Sequence, residues 1–152
     1  MPTMDETADR ELAWLELQQA TSRLRSEMSR RVAERVGVSV TEFDVLWHLA
    51  NAIDRRLNLS DVAESATITP RGATCLVARL ERRGWVRREA LPDNRRTVYA
   101  VLTPAGVTAT RSAFKPLHAA RQDLFDDRLT DTDVADLRRV LGKLLRRLDT
   151  VG

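Results

Sequence analysis

Three helix-start signals crowd into the middle of the chain, and two strand-like runs follow them at once. Ser39-Val40-Thr41-Glu42 is a capping box, in which the serine oxygen takes an orphan amide and the glutamate reaches back to the cap. It opens a helix through Ala50 with Phe43, Leu46, Trp47 and Ala50 as its buried stripe. Asn58-Leu59-Ser60-Asp61 repeats the capping logic before a short helix from Asp61 to Ser65. Thr69-Pro70 caps the next helix with proline at its first position, and the proline holds Thr69 in the extended geometry that a cap needs. A short helix, a tight turn and a second helix make a helix-turn-helix.

The helix from Pro70 to Arg83 places Ala73, Leu76, Val77 and Leu80 on one side. The other side carries Arg71, Gly72, Thr74, Cys75, Ala78, Arg79 and Arg82, and the helix ends at Gly84. Trp85 to Leu91 and Thr97 to Leu102 then read as strands joined by Pro92-Asp93-Asn94-Arg95-Arg96, a hairpin turn by composition. Long helices flank this middle. Thr7 to Arg35 lacks Gly and Pro and carries Leu17, Leu24, Met28, Val32 and Val36 at near-fourfold spacing. Thr103-Pro104 caps a fifth helix, expected to kink or break at Pro116, and Thr130-Asp131-Thr132-Asp133 caps a sixth rich in leucine. The fold class is therefore mainly α with a small β-hairpin wing.

With 152 residues, 43% apolar and 31% charged, the chain suits one globular domain and not a disordered segment, a collagen repeat or a two-domain enzyme. No apolar run nears the ~20 residues of a membrane span, so no membrane partner is expected. The stretch Met1 to Asp9 is acidic and lacks the apolar core of a signal peptide, so the expected location is cytoplasmic. The single cysteine, Cys75, excludes an internal disulfide framework. With only His48 and His118 beside it, soft ligands are too few for zinc, and no metal or other cofactor is expected.

Charge points to a partner. The net charge is only +3, yet residues 71 to 96 hold eight arginines against Glu81, Glu89 and Asp93. Guanidinium groups bind phosphate in bidentate fashion and release condensed counterions, so a concentrated arginine patch fits a polyanion. A solvated basic face would show the same charge, and an ordinary packed helix corner the same helix pair. The charged ribbon favours double-stranded DNA, because an α-helix fits the major groove and Gly72, Thr74, Cys75 and Ala78 permit close approach.

These residues resemble the MarR (multiple antibiotic resistance regulator) family of winged helix-turn-helix transcription factors over nearly the whole chain. The resemblance rests on Val38 to Leu46, on Leu59-Ser60-Asp61-Val62-Ala63, on Arg79 to Arg88, and on Asp93-Asn94-Arg95-Arg96 leading to Leu102-Thr103-Pro104-Ala105-Gly106. It implies a winged helix-turn-helix lobe at residues 38–103 and dimerisation helices at 7–36 and 104–150 of a single domain. It implies a ligand-responsive repressor that binds a pseudo-palindromic operator as a homodimer. It also implies that Arg95 enters the minor groove and that Asp93 orients it. The DNA-contacting set then comprises Thr69, Arg71, Gly72, Thr74, Cys75, Ala78, Arg79, Arg82, Asp93, Arg95 and Arg96. The chain departs from many relatives at Cys75, where they carry arginine, and at Gly72, where they commonly carry threonine.

Cys75 is read as a small residue tolerated at the interface, because no second cysteine exists to resolve a sulfenate. Trp14, Trp47 and His48 are candidates for lining a cleft that takes a small aromatic or phenolic effector, and aromatics at helical spacing equally fit a packed core. No Gly-x-Ser-x-Gly elbow, phosphate-binding glycine loop or His-Glu-x-x-His pair occurs, so the chain is not read as an enzyme. A helical protein-protein adaptor or antitoxin-like module would use the leucine-rich terminal helices equally well. The wing discriminates, since an adaptor has no use for an arginine-tipped ribbon.

Overall fold

Local capping decides where the central helices begin in the computed structural model, which describes residues 4–150. Residues 1–3 of the acidic opening stretch lie outside them. Ser39 adopts an extended backbone, and its Oγ accepts from the Glu42 amide at 3.1 Å while the Glu42 carboxylate accepts from the Ser39 amide at 2.9 Å. Helix α2, Val40–Asn51, starts there. Asn58 caps α3, Leu59–Ala66, by accepting from the Asp61 amide at 2.8 Å, and Thr69 caps α4, Pro70–Arg82, by accepting from Gly72 at 3.1 Å. Between α3 and α4, Thr67 sits at φ 54, and the amides of Thr67 and Ile68 bond back to Glu64 and Ala63. This is a Schellman closure built on a β-branched residue, which stores strain of order 1 kcal/mol in the turn.

Helix α1 spans Met4–Ala33, beginning and ending slightly before the expected bounds. Near its end Arg30 and Arg31 hydrogen-bond Glu27 and pull that carboxyl down to about 2. The wing pairs β2, Val86–Leu91, with β3, Asn94–Leu102, in antiparallel register with Val86 opposite Leu102. The ribbon is tighter than expected, because β3 starts three residues earlier and only Pro92 and Asp93 remain as the loop. A third strand, β1, Arg56–Asn58, was not foreseen and pairs with β3, giving the order β1-β3-β2. It follows a turn in which Asp54 and Arg55 both take left-handed conformations.

Helices α2, α3 and α4 pack on one another and around a core that includes Val45, Leu46, Leu49, Val62, Leu76 and Leu80. Each of these side chains contributes about 1.5–3 kcal/mol on burial, enough to fix which face of each helix turns outward. Helix α5, Pro104–Leu124, runs through Pro116 without interruption, so of the expected kink or break the break does not occur. Burial of Ala113 and Leu117 on either side outweighs the hydrogen bond that the proline removes. By compactness the chain divides into Met1–His118 and Ala119–Gly152. In the second unit a short 3-10 turn, Asp126–Arg128, precedes α6, Asp131–Asp149, which starts at a capping box of Thr130 and Asp133. Accepting bonds from the Thr130 hydroxyl and amide holds the Asp133 carboxyl below its usual value.

The start of α5 approaches the wing very closely. Thr103 donates its hydroxyl to Gly84 O at 2.6 Å and its amide to Trp85 O at 3.0 Å, and Gly106 then passes over that same strand entry. A Cβ at Gly106 would lie 2.1 Å from the Trp85 carbonyl oxygen, so only glycine fits without moving backbone. Gly106→Ala is expected to destabilise the fold by about 3 kcal/mol, at the upper end of overpacking costs, measured by thermal or denaturant unfolding. An unchanged midpoint would show that α5 shifts freely away from the wing.

Candidate nucleic-acid interface

Burial of Ala73, Leu76, Val77 and Leu80 on the inner side of α4 leaves Arg71, Thr74, Cys75, Arg79 and Arg82 exposed, with Gly72 and Ala78 half-buried between them. Thr69 is exposed at the cap, and the Thr74 hydroxyl returns a bond to Pro70 O at 3.2 Å. The outer face is thus smooth along its centre and cationic at both ends. It matches the face drawn from the sequence residue for residue.

Ion pairing sorts the eight arginines of residues 71–96 into two groups. Arg87 is paired with Glu89 at 2.6 Å, Arg88 lies 3.9 Å from Glu81, and Arg79 and Arg83 both engage Glu42 at 3.1 Å. Arg71, Arg82, Arg95 and Arg96 have no acidic partner among the described residues. Two of these four stand on the outer side of α4 and two on the wing tip, so the unneutralised charge is concentrated on the two elements that the winged-helix reading assigns to DNA. At the tip, Asn94 donates to Thr97 Oγ1 and accepts from the Arg96 amide, which fixes the backbone that carries Arg95. Asp93 and Arg95 are both exposed and form no ion pair among the described residues, so the structure does not join the pair that the family pattern links.

Comparison with known proteins adds sequence evidence to this geometry. The MarR family model matches residues 38–98. The crystal structure of Sco3205, a MarR family transcriptional regulator from Streptomyces coelicolor in complex with DNA, is 30% identical and superposes with a TM-score of 0.79 over 98% of this chain and 92% of that one. The chain belongs to the MarR family. AbsC from the same organism, 23% identical with a TM-score of 0.85 over 99% and 98% of the two chains, has the same fold. Among curated relatives, the transcriptional repressor MprA of Escherichia coli is 27% identical over 81% of this chain and 69% of its own length. MarR-family membership makes the chain a DNA-binding transcriptional regulator with a winged-helix fold.

The candidate effector residues separate in this MarR-family chain. Trp47 stacks between Phe43 and Phe114, with ring centroids 5.9 and 5.1 Å away, and Phe114 stacks in turn on His118 at 5.5 Å. The two middle rings of this ladder, Trp47 and Phe114, wall a cavity of about 390 Å³ that also meets Arg55, Thr110 and Arg111. His48 instead lines a second cleft of about 510 Å³ beside Asp61 and Glu64, on the α3 side of α2. Trp14, 58% exposed on α1, lines neither and is not a core residue. Sequence reading missed Phe114, Arg111 and Arg55. The first two were detectable as a stripe of Val107, Arg111, Phe114 and His118 at helical spacing on α5, while Arg55 reaches the cavity through a backbone conformation that no local pattern announces.

Glu42 was also missed as more than a cap. Its carboxylate is buried, and Arg83, besides pairing with it, donates to Gly37 O at 2.6 Å and lays its guanidinium 3.6 Å from the Trp85 ring centre. Two residues further along α2, partial burial pushes the Asp44 carboxyl above its ordinary value despite Arg25 at 3.6 Å and His48 nearby. A raised carboxyl binds its proton more tightly in the folded than in the unfolded state, so its stabilising share is present at low pH and lost as pH rises through the folded value. Asp44→Asn is therefore expected to raise the melting temperature at pH 7, with the gain shrinking below about pH 4. A variant that melts lower at pH 7 would show that the Arg25 attraction outweighs the desolvation.

Proposed function

We propose that this MarR-family chain is a repressor that binds a pseudo-palindromic operator as a homodimer, with α4 in the major groove and the wing tip in the minor groove. The observation that carries this reading is the placement of the four acid-free arginines on the outer face of α4 and on the ribbon tip. Arg71 and Thr74, near the start of α4, reach base edges, and Arg82 near its end holds phosphate. Arg95 favours narrow, A·T-rich minor groove, where the negative potential is strongest. Sco3205, in complex with DNA, supports carrying this binding mode to the present chain. Half-sites then lie about one helical turn apart.

Dimer formation is supported by apolar surface on the terminal helices. Leu144, Leu145 and Leu148 on α6 are 47–66% exposed, and Leu12, Trp14 and Leu15 on α1 are 48–58% exposed. Exposed stripes of large side chains mark protein interfaces. The cytoplasm fits a regulator of transcription, and no helix of the described residues is long and apolar enough to cross a membrane.

A small-molecule response is favoured by the Trp47–Phe114 cavity, which offers a flat apolar wall beside two guanidinium groups, Arg55 and Arg111. That chemistry suits a planar aromatic acid or phenolate, held by stacking and by charge.

Titration of operator, flank-altered operator and random duplex at several salt concentrations tests the DNA reading. Arg71→Ala should cost about 1–3 kcal/mol mainly on operator. Arg82→Ala should weaken all duplexes alike and flatten the salt slope by about one contact per subunit. Arg95→Ala should lose most where the flank narrows the minor groove. Equal losses for all three on every duplex would reduce the patch to a nonspecific electrostatic surface. For the cavity, a panel of aromatic acids should quench tryptophan fluorescence in the wild type and lose that effect in Arg111→Ala. Ligands that quench both proteins equally would place the site elsewhere.

A further inference from the structure

Among the described residues Glu42 is the one buried acid on which two arginines converge. Its Oε1 faces Arg79 Nε at 3.1 Å, and its Oε2 takes both Arg83 Nη1 at 3.1 Å and the Ser39 amide at 2.9 Å. A single carboxylate cannot neutralise two guanidinium groups, so the cluster keeps one surplus positive charge. Arg83 is held at three points, with one terminal nitrogen on Glu42, the other on Gly37 O and its face on Trp85. Arg79 is not. Its ion pair with Glu42 is closest at Nε, it donates no side-chain hydrogen bond among the described residues, and its side chain is 53% exposed. The surplus charge therefore falls to Arg79, on the last turn of α4, whose exposed guanidinium keeps donors for the two parallel hydrogen bonds that a phosphate accepts.

We propose that Glu42 is a positioning residue for DNA binding, which anchors Arg79 by Nε and presents its two terminal nitrogens to a backbone phosphate. The inference rests on the DNA reading above and goes further, because it assigns a buried acid on α2, outside the helix-turn-helix pair itself, to the presentation of a phosphate ligand. Anchoring matters because an arginine side chain loses about 2 kcal/mol of rotamer freedom when it is fixed on a ligand, and a prior ion pair with Glu42 removes part of that loss before DNA arrives.

A double-mutant cycle in DNA binding tests it. Glu42→Gln retains an oxygen for the Ser39 amide, so the α2 cap survives while both ion pairs go. It should weaken duplex binding about tenfold, the size of one charge-assisted hydrogen bond. Arg79→Ala should weaken it by at least as much and flatten the salt slope by about 0.9 per subunit. With Arg79→Ala in place, Glu42→Gln should add no further loss. Additive losses would overturn the proposal, as would an unaltered affinity in folded Glu42→Gln. Arg79→Lys serves where Glu42→Gln does not fold. A lysine has no Nε to share and cannot be held and presented at once, so it should leave affinity close to that of Arg79→Ala, and full retention of wild-type affinity would overturn the proposal. In Arg83→Ala the melting temperature should fall while the salt slope stays unchanged, which separates the bracing arginine from the presented one. A wild-type protein that retains no duplex would sink the DNA reading itself, whereas wild-type binding without coupling between Glu42 and Arg79 would sink only this proposal.

Discussion

The DNA-facing geometry depends on the burial of one side of α4. Ala73, Leu76, Val77 and Leu80 are almost wholly removed from water, and a rotation of the helix by one residue would expose two or three of them. Such a rotation costs several kcal/mol at about 25 cal/mol per Å² of apolar surface, comparable with the whole stability of a small domain. The outer face is consequently fixed without any ligand, and Arg71, Thr74 and Arg82 need no rearrangement of the helix to meet a groove. Polar braces then act at the ends: Thr69 closes the first turn, and Glu42 holds Arg79 and Arg83 at the last.

Pairing, not composition, gives the basic region its meaning. Apart from Arg79, the arginines that face acids brace the fold or neutralise its surface, as where Arg88 joins the wing to α4 through Glu81 and Arg83 joins the end of α4 to the turn after α1. Those without acids lie where an external anion would approach. Surface ion pairs contribute little to stability, so Arg87–Glu89 chiefly removes a positive charge from the field that an approaching duplex meets. The effective charge of the face is thus smaller than its arginine count and more local.

Much of the architecture was legible because it is set within a few residues. Each central helix starts at the cap its sequence announced, since the bond from a side-chain oxygen to an amide three residues on is independent of the rest of the chain. Elements set by distant partners were not legible. The strand β1 is three residues long and exists because Tyr99, Ala100 and Val101 lie opposite it. Pro116 argued for a break that burial of Ala113 and Leu117 overrides. Glu42 announced its cap locally, but its bond to Arg83 spans 41 positions and has no trace in spacing. Trp47 and His48, adjacent in sequence, were grouped as one candidate site, yet neighbours on a helix point about 100° apart, and they line different clefts.

Helix α2 bears the cavity wall and the Glu42 anchor on one rigid body, which constrains how any effector can act. Phe43 follows Glu42 directly and stacks on Trp47, so the ring ladder begins where the anchor ends. A ligand in the cavity walled by Trp47 and Phe114 would alter DNA affinity only if it bound one arrangement of α2 more tightly than another, and equal affinity would shift nothing. A turn of α2 about its axis would move the rings and the Glu42 carboxylate together. Because Arg79 has only its ion pair with Glu42, while Arg83 adds two hydrogen bonds and the Trp85 ring, the weaker attachment would yield first. In the proposed complex Arg79, not the packing of α4, would therefore be the part most exposed to events in the cavity.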